Sequence, residues 1–242
     1  MGQYRGWMIM ANPADAYAEP TGPNLPGNSL PADSPPHDCP LCPRLVAYRQ
    51  ANRAAAPEWF NNPVPSFGPA DVHLLIVGMA PGVRGANRTG RPFTGDHAGI
   101  LLYRTLLAVG LATGSYDARP DDGLTLVGCR VTNAVRCVPP ANLPQPAEVR
   151  TCNQFLTAEL RGLPQLRGVL ALGVLSHAAV LQACGLKPSR TRFQHGAIHE
   201  LPDGLLLADS YHVSRYNTNT RLLTAEMFEL AVLRVMERIG LR

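Results

Sequence analysis

Short, wholly apolar runs alternate along this chain with longer stretches in which apolar residues return every three or four positions. The run Val72-His73-Leu74-Leu75-Ile76-Val77 is almost continuously apolar and rich in branched side chains. That pattern predicts a strand buried on both faces of a parallel sheet. A Gly/Pro-rich loop follows from Gly78 to Gly95. From about Ala98 to Leu107, residues Ile100, Leu101, Leu102, Leu106 and Leu107 fall on one side of a predicted helix. A second strand is expected over Leu124 to Val135, broken or bent near Gly128. A helix should start near Pro146, where proline suits the first turn. A third strand covers Gly168 to Leu172, and Gly173 leads into a helix through Leu181. The fourth strand runs from Leu205 to Asp209, and a last helix from about Thr220 to Ile239. A shorter helix over Leu41 to Arg53 precedes them all.

Strands alternating with helices predict an α/β protein whose parallel sheet is covered on both faces. Ligands of such sheets sit at the carboxyl ends of the strands. The loops Gly78–Asp96, Asn133–Asn142 and His212–Thr220 all follow strands, so they are expected to converge on one cleft. Residues 1–36 are rich in Pro, Gly, Ala and Asn without apolar periodicity and read as a disordered tail. Residues 37–242 read as one domain.

The 242 residues are 45% hydrophobic and 17% charged, a globular composition. The formal charge is +4, and residues 1–36 carry one basic and three acidic groups, or −2. The rest therefore carries +6 (4 plus 2), a mildly basic balance compatible with a nucleic-acid partner. Arginines bunch at Arg84, Arg88 and Arg91 and again at Arg190, Arg192, Arg215 and Arg221, while Lys187 is the only lysine. Arginine favours bidentate phosphate contacts. No run of 18 apolar residues and no basic-then-apolar leader occurs, so a cytoplasmic protein without a membrane span is expected. A monomer is the expected state.

In a reducing compartment, six cysteines suggest metal ligands or small core residues rather than disulfides. Cys39 and Cys42 form a C-x₂-C pair, and Cys137 and Cys152 flank a loop and a predicted helix. Four thiolates suit zinc or an iron–sulfur cluster, and spacing alone does not separate them. Cys129 and Cys184 lie in apolar elements and read as core.

The loop from Gly78 to Asp96 lacks both G-x-G-x-x-G and G-K-[ST], which excludes the dinucleotide and P-loop readings. Its glycines, Gly78 and Gly82 among them, allow a backbone to approach a ligand closely. Phe93 is either packing or a platform for a planar ring, and Asp96 is either a helix cap or a site residue. His212, at a strand's carboxyl end beside Arg215 and Asn217, suits stabilisation of a developing anion.

Taken together, the blocks CPLCPRLVAYR (39–49), PVPSFG (63–68), GMAPGVRGANRTGRPFTGDHAG (78–99), AVRCVPP (134–140) and YHVSRYNT (211–218) resemble the family 5 uracil-DNA glycosylases, the UDGb type. The likeness runs from about Cys39 to Met236. It implies a three-layer αβα fold with a central four-stranded parallel sheet. It also implies a 4Fe–4S cluster on Cys39, Cys42, Cys137 and Cys152. Asp96, Asn142 and His212 match the family's catalytic polar residues. Neighbouring family 4 members carry an acid where this chain has Ala80, and family 5 characteristically lacks it.

The resemblance implies a DNA repair enzyme that flips uracil, and also hypoxanthine and ethenocytosine, out of double-stranded DNA and hydrolyses the glycosidic bond. Gly78, Ala80, Gly82, Phe93, Asn133 and Asn217 would bind the base. Arg84, Arg88, Arg91, Ser214, Arg215 and Tyr216 would hold the DNA. With no lysine in these motifs, a monofunctional enzyme leaving an abasic site is expected. Two other readings stay open from sequence: a lesion-binding module without turnover, and a redox-sensing iron–sulfur protein that binds DNA.

Overall fold

A computed structural model describes residues 34–241, and the N-terminal tail expected over 1–36 falls, up to residue 33, outside the described residues. The described chain opens in α1 (Pro43–Ala55), continues through β1 (Leu74–Gly78), the short α2 (Ala86–Thr89) and α3 (His97–Ala108), and makes a small hairpin of β2 (Ala112–Thr113) and β3 (Thr125–Leu126). Then come β4 (Cys129–Asn133), α4 (Pro146–Gly162), β5 (Gly168–Leu172), α5 (Val174–Ala183), β6 (Ile198–Glu200), β7 (Leu206–Ser210), α6 (Arg215–Asn219) and α7 (Ala225–Arg238).

The main sheet has the order β4-β1-β5-β7-β6. Its first four members are mutually parallel, as the apolar runs predict, and β6 adds an antiparallel edge. The expected four-stranded sheet is thus complete but carries a fifth strand. That strand escaped sequence reading because Ile198-His199-Glu200 has no apolar run. The second predicted strand is two strands: Gly128 has φ 65 and turns the chain between β3, in the hairpin, and β4, in the sheet. Only glycine takes that conformation without strain.

Alternation along each strand builds two cores, one on each face. Leu74, Ile76, Leu170 and Leu172 pack with Leu102, Tyr103 and Leu106 of α3 and with Phe228, Val232 and Val235 of α7. Leu75, Val77, Val169 and Ala171 pack instead with Leu45 of α1, Val149 and Leu156 of α4, and Val180 and Leu181 of α5. The result is a three-layer αβα domain. Chain direction reverses about β1: its connection leads through α3 to β4, while that of β5 leads through α5, on the other face, to β7. The carboxyl ends of β1 and β5 therefore flank a topological switch point, where open α/β sheets bind ligands. No described helix is long and apolar enough to cross a membrane.

Candidate active site

A cavity of about 300 Å³ opens at that switch point, walled by Ala80, Gly82, Phe93, Asp96 and His97 from the loop after β1 and the start of α3, Asn133 at the end of β4 and Asn142 beyond it, and His212, Ser214 and Arg215 after β7. The three loops expected to converge do so. Gly78 pairs with Asn133 in the β1–β4 register. It lies under the wall, where an added Cβ would stand 2.5 Å from Asn133 Oδ1 and would collide with the Phe93 ring.

Phe93 is buried and has φ 52. That conformation costs a bulky residue roughly 1–3 kcal/mol, so its surroundings must impose it. They do so from both sides. Tyr103 donates to the Pro92 carbonyl at 2.5 Å, Tyr116 to the Phe93 carbonyl at 3.1 Å and Thr89 to the Thr94 carbonyl at 3.0 Å. Arg91 Nε donates to Thr94 Oγ1 at 2.7 Å. The ring itself is left facing the cavity, 6.0 Å from the His212 imidazole and tilted by 34°.

Asp96 combines the two roles its sequence position allowed. Its Oδ1 accepts from Ala98 N at 3.1 Å, capping α3, while the carboxylate lines the cavity. Burial, only partly offset by the Gly99 and Ala98 amides, raises its pKa above the ordinary carboxylate value. The carboxylate lies across Gly82 and Gly85: an added Cβ at Gly82 would stand 2.9 Å from Oδ2, and one at Gly85 would strike the carboxylate directly.

His212 sits opposite. Burial alone depresses its pKa to about 4, so the imidazole is neutral near pH 7. Asn217 Nδ2 donates to the His212 carbonyl at 2.8 Å, so this amide braces the histidine rather than facing the cavity as expected. Asn133 is buried at the cavity wall, and its side chain has no hydrogen-bond partner among the described residues, which leaves an amide available to a ligand. Asn142 has φ 55, following Ala141 at φ 55, in a 3₁₀ turn after Pro139. His97, which sequence reading passed over, also lines the cavity, and its Nε2 meets Thr218 Oγ1 at 2.9 Å, tying α3 to α6. Its only sequence signal was adjacency to Asp96.

The arginines divide. Arg84, Arg88, Arg215 and Tyr216 are exposed. Arg91 is not available to DNA: it is 3% exposed, and its guanidinium forms a bidentate pair with Asp122 at 2.8 Å and 2.8 Å. Its carbon lies 5.0 Å from the Phe67 ring centroid and 5.5 Å from that of Tyr103. Arg91 anchors the Phe93 loop, and the expectation that it contacts DNA is corrected. The partner is 31 residues away, beyond the reach of local pattern.

Cys39, Cys42, Cys137 and Cys152 line one small pocket between α1, the chain after β4 and α4. Arg49 Nη1 donates to Cys137 Sγ at 3.5 Å, and the Arg136 amide donates to Cys152 Sγ at 3.3 Å. Arg49 Nε is buried without a partner. No three of these sulfurs lie within 4.8 Å of one another. Among the described residues, the compact group of metal-ligand type is instead His177, His199 and Asp209, which is bound together by hydrogen bonds.

Comparison with known proteins agrees with this geometry. A family model for the uracil DNA glycosylase superfamily matches residues 65–235. A type-5 uracil-DNA glycosylase of Thermus thermophilus is 47% identical over 207 residues, covering 84% of this chain and 94% of that protein. Proteins of the same description from Mycobacterium bovis (40% identical over 199 residues, 79% of this chain and 74% of that one) and Pyrobaculum aerophilum (38% over 193, 78% and 84%) are also similar. With the family model spanning most of the chain and type-5 relatives matched over most of their lengths, the chain belongs to the uracil-DNA glycosylase superfamily, in its type-5 branch.

Proposed function

We propose that this protein excises uracil from double-stranded DNA by hydrolysis of the N-glycosidic bond, as a monofunctional glycosylase that leaves an abasic site. The observation that carries this reading is the single cavity at the sheet's switch point, which gathers Phe93, Asp96, Asn133, Asn142 and His212 from three separate loops. Its volume of about 300 Å³ is at the small end for ligand sites, the scale of one flipped base.

A base inside a duplex cannot reach such a cavity, so it must be extruded at a cost of a few kcal/mol. Phe93, already locked in position, offers the ring on which the extruded base stacks. The Asn133 amide can pair with the Watson–Crick edge. As the glycosidic bond lengthens, electrons move onto the base and positive charge onto the sugar. The neutral His212 imidazole donates to the base oxygen that becomes anionic, a contribution of roughly 2.7–4 kcal/mol for a preorganised donor. With Ala80 in place of an acid, the departure of the base carries most of the barrier. Asp96, its basicity raised by burial, and Asn142 orient the water that captures the sugar; its proton passes to Asp96. The small side chains at Ala80 and Gly82 leave room for larger deaminated or damaged bases, hypoxanthine and ethenocytosine among them.

Cys39, Cys42, Cys137 and Cys152 would hold a 4Fe–4S cluster. Support comes from their common pocket and from N–H donors aimed at two of the sulfurs. Such a group would supply a cross-link between the start of α1 and the chain on either side of α4's start, since base hydrolysis moves no electrons. Arg44 extends this link toward the site: it holds both Glu148 oxygens at 2.7 Å and the Leu143 carbonyl at 3.2 Å, beside Asn142.

The test is a labelled duplex with one U·G pair, incubated with protein and then treated with alkali. Strand breaks only after alkali are expected. Breaks without alkali would overturn the monofunctional mechanism, and no breaks from protein that binds the duplex would favour a lesion-binding module.

A further inference from the structure

A second basic segment outside the cavity has no part in the chemistry above. Residues 187–195 contain Lys187, Arg190 and Arg192 and no acid. All three cations are exposed, and none forms a salt bridge among the described residues. The segment lies at the catalytic end of the sheet, as its contacts fix. His177 is in the first turn of α5, directly after the carboxyl end of β5, and its Nε2 meets the Thr191 carbonyl at 3.2 Å. His177 Nδ1 meets Asp209 Oδ1 at 2.7 Å, near the carboxyl end of β7. The fully buried Asp209 carboxylate also accepts from the Gln194 amide at 3.1 Å, and its other close neighbour is His199 Nε2 at 3.2 Å.

A second set of contacts joins the segment to the site itself. The His195 ring stacks on Tyr211 with centroids 4.9 Å apart and an interplanar angle of 5°, and the Tyr211 amide donates to His195 Nδ1 at 3.2 Å. Tyr211 directly precedes His212. Phe193 packs against both His177 and Tyr211. A buried carboxylate and three histidines are thus committed to holding a surface segment whose outward face is only basic. Exposed cations with no acidic partner indicate a polyanionic one. Arg84 and Arg88 occupy the loop after β1, while this segment lies beyond β7. By the sheet order, the loop after β1 and the segment beyond β7 lie on opposite sides of β5.

We propose that residues 187–194 form a second DNA-docking arm, in which Arg190 and Arg192 contact backbone phosphates of the duplex on the β7 side of the extruded nucleotide. The inference rests on the reading of this protein as a DNA glycosylase. It adds a contact surface that the cavity and its three loops do not include, and it assigns the Asp209–histidine cluster as the anchor that presents the arm.

Phosphate contacts leave a signature in salt dependence: each one lost lowers the slope of log affinity against log salt by about 0.9. The experiment measures binding of the full-length protein to a fluorescent duplex without uracil, from 50 to 200 mM salt, by anisotropy. Three proteins are compared: the parent, Arg190→Ala/Arg192→Ala, and a charge-matched control, Arg161→Ala/Arg238→Ala. The control removes two exposed cations from the last turns of α4 and α7, at the opposite end of the sheet. The arm variant should lose roughly 1–2 units of slope, and the control none. Equal losses in both would show diffuse charge rather than docking, and no loss in the arm variant would remove the arm; either overturns the proposal. Undamaged duplex reports binding alone, so the outcome is independent of whether the protein excises uracil.

Discussion

Replacing Arg91 with methionine tests the reassignment of that arginine from the DNA surface to the core. The guanidinium gives two hydrogen bonds to Asp122, whose remaining donors are the Asp117 and Leu124 amides at 2.9 Å and 3.1 Å. Removing one partner of a buried pair strands the other charge, at a cost of roughly 3–5 kcal/mol. For a domain of this size that corresponds to a fall in Tm of roughly 10 °C. The pH dependence carries a sign. Burial favours the neutral acid, but Arg91 and the two amides outweigh it and hold the Asp122 pKa at about 2 against an ordinary 3.8. A depressed carboxylate contributes stability above its unfolded pKa and loses it as pH falls through the folded one. The difference between 3.8 and about 2 is worth about 2 kcal/mol. In Arg91→Met the stranded carboxyl can protonate more readily, so the two proteins should converge in stability as pH falls from about 4 toward about 2. Urea unfolding at pH 7 and at low pH measures this directly, with salt-dependent DNA binding alongside. A variant of unchanged stability whose binding slope falls by about 0.9 would refute the reasoning and return Arg91 to the DNA surface.

Other outcomes follow from the same geometry. Gly85→Ala would drive its methyl into the Asp96 carboxylate, so single-turnover excision should fall at least about tenfold, and an unchanged rate would remove Asp96 from the chemistry. Because burial holds the His212 pKa at about 4, the imidazole stays neutral from above about pH 5 upward. The excision rate should show no histidine ionisation near pH 6.5, and a step there would contradict a neutral donor. Iron and sulfide assay of purified protein should return about four of each per chain, and Cys137→Ser should lose both and lower Tm; a full-length protein with no iron and undiminished stability would exclude the cluster.

What the sequence made legible divides along physical lines. The strands of the parallel sheet read to within a few residues because burial on both faces demands continuous apolar runs, as in Leu74–Gly78 and Gly168–Leu172. Helix α7 begins at Ala225 instead of Thr220, since Thr224 supplies the cap, its hydroxyl accepting from Met227 N at 3.2 Å. The residues between lie outside any helix, and α6 (Arg215–Asn219), which ends just before them, is too short to show periodicity. Convergence of the three loops was legible from topology alone. The occupations of individual side chains were not. Whether Arg91 meets phosphate or Asp122 depends on a partner 31 residues away, and whether Asn217 faces the base or braces the His212 carbonyl depends on the turn of α6 between them. The left-handed backbone at Phe93 is likewise imposed by Tyr103, Tyr116 and, through Arg91, Asp122 from elsewhere in the chain.

The central claim, that departure of the base is driven by a neutral donor at His212, is tested most directly by His212→Ala on a U·G duplex under single-turnover conditions. Excision should slow by about 10²–10³-fold, while affinity for the same duplex stays within about threefold, because one neutral side chain at the cavity wall adds little to a binding energy dominated by phosphates. A rate within about threefold of the parent, or a loss found wholly in binding, would contradict the account.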